Sequence, residues 1–152
     1  MSETSEPHYH ACLDFVGEEL DPDDILPLVP LKADGPKKKG DPLFNSRNGK
    51  TSHARFGACI FYTTGVVCSS NLSDHVVFLL NNIEPTLEKI KNVVDRQNLR
   101  WFITCFLDSP DEKLETLLSP AIFMRAAEFG IPIEVEDFSG VTFVWDYPPP
   151  AP

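Results

Sequence analysis

The sequence predicts an α+β domain, with a mixed or antiparallel sheet and helices packed mainly on one face. Three observations carry this. Segments that alternate apolar and polar residues, or run continuously apolar, read as strands at about 8–16, 56–64, 99–107 and 131–135. Apolar residues recur at three- and four-residue steps from Val76 to Val94, the helical period. The resulting order is strand, helix, two strands, helix, strand, helix, hairpin, which implies a sheet with helices on one side.

The first strand is expected from about His8 to Val16. Tyr9, Ala11, Leu13 and Phe15 share one face, and His8, His10, Cys12 and Asp14 take the other. Gly17 then frees the backbone to turn. Asp21 is placed to cap a short helix, Pro22 fits its first position, and Asp23 and Asp24 put negative charge at the positive end of its dipole. Pro27 and Pro30 limit this helix to about Val29. Residues 30–54 read as a long loop, rich in Lys, Gly, Pro and Asn, of the kind that is usually functional or mobile.

Phe56–Thr64 is apolar on both faces and reads as a central strand, with Val66, Val67 and Cys68 continuing it or pairing with it after Gly65. Ser73 or Asp74 is expected to cap the long helical region, which Pro85 should kink or split into two abutting helices. Leu99–Leu107 reads as a buried strand. Ser119, Pro120 and Gly130 mark the cap, first position and end of one more helix. Ile131, Ile133 and Val135, then Val141, Phe143 and Trp145 across Ser139-Gly140, read as a C-terminal hairpin.

At 152 residues the chain is expected to form one domain over 8–147, with a flexible N-terminus at 1–7 and a Pro-rich tail at 148–152. No apolar run approaches the roughly 20 residues of a membrane span, and the polar, acidic start is not a secretory signal, so the cytoplasm is expected. Cys12, Cys59, Cys68 and Cys105 form no C-x-x-C pair and fit neither a zinc finger nor a disulfide scaffold, so they read as small reduced hydrophobes.

The net charge of −10 is unevenly spread. Residues 1–24 hold eight acids and no Lys or Arg; residues 32–55 hold seven bases against Asp34 and Asp41; Asp108–Asp146 holds nine acids against Lys113 and Arg125. This pattern fits a docking face for a basic partner. It disfavours direct nucleic-acid binding, which needs clustered cations.

Several pieces have a recognisable order: Gly17-Glu18-Glu19-Leu20-Asp21-Pro22-Asp23-Asp24-Ile25 after a strand, Lys39-Gly40-Asp41-Pro42, the His75-led helix through Leu79-Leu80 to Glu84-Pro85, Leu118-Ser119-Pro120, and Phe129-Gly130-Ile131. Over about residues 9–137 they resemble a group of small, mostly bacterial proteins named domain of unknown function 4279. Phe56-Gly57-Ala58-Cys59 stands where such proteins tend to carry Gly-x-Trp, and the first helix holds two prolines. The resemblance implies the same order of elements and supplies no activity.

Candidate chemistry is sparse. His8, His10 and Cys12 are metal-ligand types on one strand face, but a strand separates them by about 6.6 Å per step, so His53 or His75 would have to help. A polar sheet face is the simpler expectation, and no metal or cofactor is expected. His75 lacks a G-x-S-x-G partner and reads as a helix-start histidine bonded to a nearby carbonyl. The carboxylate pairs Glu18/Glu19, Asp23/Asp24 and Glu136/Asp137 fall at expected caps and turns.

The function expected is therefore a non-catalytic, acidic protein-binding domain, an immunity or inhibitor protein that masks a basic toxin or effector. The contact is expected at Glu18, Glu19, Asp21, Asp23 and Asp24 and at Asp108, Asp111, Glu112 and Glu115. One alternative is an enzyme or small-ligand module using the 30–54 loop as a lid, with His53 or His75 lining its pocket. Another is an oligomeric subunit associating through Phe143 and Trp145.

Overall fold

The computed structural model describes residues 8–136. The expected flexible N-terminus, the second strand of the C-terminal hairpin with Phe143 and Trp145, and the Pro-rich tail lie outside them. The described residues form an α+β fold with a four-stranded mixed sheet and a separate two-stranded sheet.

The main sheet has the order β4-β1-β5-β6. β1 (His10–Gly17) pairs antiparallel with β4 (Gly57–Tyr62) on one side and with β5 (Arg100–Phe106) on the other. β6 (Ile133–Val135) runs parallel to β5, with Thr104 opposite Glu134. The expected hairpin thus begins with a strand whose partner here is β5, reached by a crossover through the helices α4 (Leu114–Leu117) and α5 (Pro120–Phe129). Parallel neighbours require such a crossover.

The core lies on one face of the sheet. Ala11, Leu13 and Phe15 of β1, Cys59 and Phe61 of β4, and Trp101, Ile103 and Cys105 of β5 pack there against the helices. Those helices are α2 (Leu72–Ile83), α3 (Leu87–Arg96) and α5, with Leu72, Val76, Leu79, Leu80, Ile83, Ile90 and Phe129 turned inward. Pro85 splits the long helical region as expected: a short 3₁₀ turn, Glu84–Thr86, joins α2 to α3. The cap of α2 is Asn71, whose side chain accepts from the Ser73 N–H, rather than Ser73 or Asp74.

Three further expectations are corrected. The first helix, α1 (Pro22–Ile25), gives way to a 3₁₀ turn at Leu26–Leu28, because Pro27 cannot supply the N–H that a continued α-helix uses. β4 is the outermost strand of its sheet rather than a central one. Its apolar character on both faces is explained by burial of both, and residues 33–37 lie along its outer edge through bridges at Ala33–Phe61 and Lys37–Ala58. Val66–Cys68 form no strand; the Val66 and Val67 amides close a turn onto the Thr63 carbonyl.

Residues 30–54 are not a structureless loop. After the edge bridges they form a hairpin of β2 (Pro42–Asn45) and β3 (Lys50–His53), a small sheet of its own. Its base is tied by hydrogen bonds from the Ala54 N–H to the Asp41 carbonyl and from the Gly40 N–H to the Ala54 carbonyl.

Candidate functional site

The acids expected to meet a partner fall into two groups, and the sheet separates them. β1 and β5 are antiparallel, with Val16 opposite Arg100 and His10 opposite Phe106. Residues 18–24 follow β1 and so sit at the Arg100 end. Residues 108–115 follow β5 and sit at the His10 end. Six residues of strand lie between, about 20 Å.

At the first end the joint is built by close packing. A Cβ on Gly57 would lie 2.9 Å from the Leu20 Cβ and 3.0 Å from the Leu20 carbonyl oxygen, and one on Gly17 would lie 2.8 Å from a Leu99 methyl carbon. The two glycines therefore let Leu20 and Leu99 close over the end of the sheet. Asp21 caps α1 by accepting from the Asp23 N–H at 3.1 Å. Gln97, beyond α3, accepts from the Asp21 N–H and donates to the Asp24 carboxylate at 2.6 Å. Lys38 and Lys39 turn back onto the same joint: Lys38 lies 3.8 Å from Asp21 and Lys39 3.7 Å from Glu18. The acidic and basic stretches that are distinct in the sequence thus meet in space.

At the other end, Glu112 organises the turn after β5. It accepts from the Asp108 and Ser109 amides and from the Tyr9 hydroxyl. That hydrogen bond, with burial and the negative charges of Glu112 and Asp108, pushes the Tyr9 phenol up to about 12. Asp108 accepts from the His8 N–H. Glu112 and Asp108 therefore hold structure as well as charge, while Asp111 and Glu115 stand exposed.

His8, His10 and His75 line one open cavity of about 410 Å³ at the His10 end of the sheet, and His53 lies elsewhere. His75 is buried at the start of α2, where its Nε2 lies 2.9 Å from the Ser69 carbonyl and its Nδ1 2.7 Å from the Thr63 hydroxyl. The Thr63 oxygen also accepts from the Ala11 N–H. All three groups are satisfied when Thr63 donates to Nδ1 and Nε2–H donates to the carbonyl, the structural role expected for a helix-start histidine. His10 stacks on Phe106 with ring centroids 4.2 Å apart, and burial followed by proximity to His75 lowers its pKa. His53 belongs to another place, a cavity of about 290 Å³ beneath the β2–β3 hairpin that it lines with Leu43, Phe56 and Ile60. Among the described residues no three His, Cys, Asp or Glu side chains are grouped to hold a metal ion.

Two features escaped the sequence reading. The first is on the supposedly polar face of β1. Asp14 is only 1% exposed and accepts from the Cys12 thiol at 3.2 Å and the Thr104 hydroxyl at 2.8 Å. The signal for its burial was the apolar character of Ile60 and Phe102, its cross-strand neighbours on that face.

The second is a cleft of about 630 Å³ at the joint end of the sheet, with Gly17, Glu19, Arg55, Phe56, Leu99 and Arg100 among its walls. No run of sequence marks it, because it draws on the ends of three strands and a helix.

Among the described residues no helix is long and apolar enough to cross a membrane. No curated protein and no solved structure matches the chain. One family model does, described as a domain of unknown function (DUF4279), over residues 7–137. The match takes in β1 through β6 and both ends of the sheet, and by it the chain belongs to the DUF4279 family.

Proposed function

We propose that the chain is a non-catalytic protein-binding domain of the immunity or inhibitor type, which masks a basic toxin or effector with the acidic joint between β1 and α1. The observation that carries this reading is the seating of Lys38 and Lys39 against Asp21 and Glu18. A lysine-rich segment already rests on these acids in the free chain. Both pairs are substantially exposed, 58% and 36% for Lys38 and Asp21, 55% and 66% for Lys39 and Glu18. Exposed pairs contribute about 0–1 kcal/mol, so a partner's cations can take their place at small cost.

Glu19, Asp23 and Asp24 add exposed negative charge beside the pairs. The net charge of −10 attracts a cationic partner from a distance and speeds encounter. The acids at 108–115, about 20 Å away, add to that field. The reading places the chain in the cytoplasm, supported by four free cysteines, three of them buried.

The test begins with affinity capture at low and at high salt, which identifies the partner, and continues with stopped-flow association. The expected partner is basic, and its on-rate falls steeply as ionic strength rises. Asp23→Lys with Asp24→Lys slows association more than Asp111→Lys with Glu115→Lys. A tight partner whose association ignores salt, or responds equally to both pairs of reversals, overturns the reading.

A further inference from the structure

We propose that the cavity beneath the β2–β3 hairpin binds a small apolar monocarboxylate, its carboxylate on Lys37 and its apolar body against β4. The inference stands apart from the basic-partner reading: it rests on other residues and concerns a different ligand.

The cavity, about 290 Å³, draws on three segments: β4, the stretch bridged along its outer edge, and the hairpin. Ala58 and Ile60 of β4, Phe56 just before it and Leu43 of β2 give it an apolar wall. The hydrogen bonds between Ala54 and residues 40 and 41 tie the hairpin base, and so hold Leu43 and Ser52 in place relative to β4. Lys37 is half-buried in the same lining, its main chain bridged to Ala58. Of the three consecutive lysines, Lys38 and Lys39 reach Asp21 and Glu18. Among the described residues no carboxylate lies within ion-pair distance of Lys37. Arg55 borders the cavity too, but it already has a partner within the chain, so Lys37 is the cation available to a ligand. Asp34 keeps its distance. Its N–H bonds to the Ile60 carbonyl and that of Lys37 to the Ala58 carbonyl, two strand steps or about 6.6 Å along β4. The charge of Asp34 acts instead on Tyr62. The Ser52 hydroxyl, opposite Leu43 in the hairpin, adds a donor to the lining.

An apolar wall with one available cation selects a ligand class. An uncharged apolar molecule would leave the half-buried ammonium without a counterion. A polyanion would bring further negative charge toward Asp34, and a cation would meet Lys37 as a like charge. A molecule with one carboxylate and an apolar body avoids all three, and its carboxylate accepts a charge-assisted hydrogen bond from Lys37. The volume lies at the lower end of small-molecule sites. It fits one ring with a short chain rather than a nucleotide or a lipid.

The probe is phenylacetate, titrated into the full chain and followed by backbone amide NMR shifts at Leu43, Ala54 and Ala58. Parallel titrations use phenylacetamide, phenethylamine and inorganic phosphate. Saturable shifts are expected with phenylacetate. Affinity should drop by about tenfold, the scale of one lost charged hydrogen bond, for the amide and in Lys37→Gln, and should be kept in Lys37→Arg. Ser52→Trp, at an exposed hairpin position, should fill the cavity and abolish binding, and supplies a second variant should Lys37→Gln fail to fold. Phenethylamine should not bind, and phosphate should not displace the probe. No saturable shift, equal binding of acid and amide, unchanged affinity in folded Lys37→Gln or in Ser52→Trp, or displacement by phosphate each overturns the proposal.

Discussion

Burial sets the chemistry of Asp14. Loss of water pushes its carboxyl up from the ordinary 3.8 to about 6; the hydrogen bonds from Cys12 and Thr104 oppose the rise without cancelling it, and nearby Glu134 adds to it. A raised pKa means that the folded state holds the proton more tightly than the unfolded state. The contribution to stability is therefore full below about pH 4 and is lost as pH rises through about 6. The difference corresponds to on the order of 3 kcal/mol. Asp14→Asn, neutral at every pH, should lack this term. Urea unfolding of both proteins from about pH 4 to about pH 7 should show the wild type losing stability relative to the variant; parallel curves would refute the assignment. Thr63 makes a second case at the same scale. Thr63→Val leaves the Ala11 N–H and the His75 Nδ1 without their hydroxyl. A buried group left unsatisfied costs about 1–3 kcal/mol, so the midpoint of chemical unfolding should fall clearly, and an unchanged midpoint would mean that other groups take over both bonds.

Helix ends show how far local sequence rules reach. Ser119-Pro120 is the plainest helix start in the chain, yet the Ser119 side chain makes no capping hydrogen bond, whereas Asn71 caps α2. Asn71→Ala should therefore cost about 1 kcal/mol and Ser119→Ala much less, measured as the difference in unfolding free energy; the reverse order would contradict the observed capping. Gly130 was legible for a firmer reason: it ends α5 at φ 79°, a left-handed backbone that glycine adopts without strain. The break at Pro85 and the three longest strands, β1, β4 and β5, were legible too, since proline and apolar periodicity act within a few residues. The small hairpin was not, because β2 and β3 are four residues each and mostly exposed, too short for a period. Asn48-Gly49 between them was the available turn signal. α4, one turn long, carries no period either. The partner of β6 could not be read, since alternation marks a strand but not its neighbour.

At the scale of the whole molecule, charge along the sequence and charge in space differ. The acids of 18–24 and 108–115 look like one reservoir in the sequence, but an antiparallel β1–β5 pair carries them to opposite ends. The lysines of 37–39 look remote from the first acids, but the chain along the edge of β4 returns them to Asp21 and Glu18. The candidate surface is thus a product of topology, and residue counts alone could not assemble it. The same topology yields a test of the occupied joint. In Lys38→Ser with Lys39→Ser the acids lose their internal counterions, and the local potential becomes more negative. Association with a basic partner should become faster and more salt-dependent. Stability should change by less than about 1 kcal/mol, because exposed pairs contribute little. The two readouts separate the explanations. Faster association with unchanged melting means that the lysines occupy the partner's place. Slower association means that they are part of the contact, and the joint would then have to be read as a surface of mixed charge.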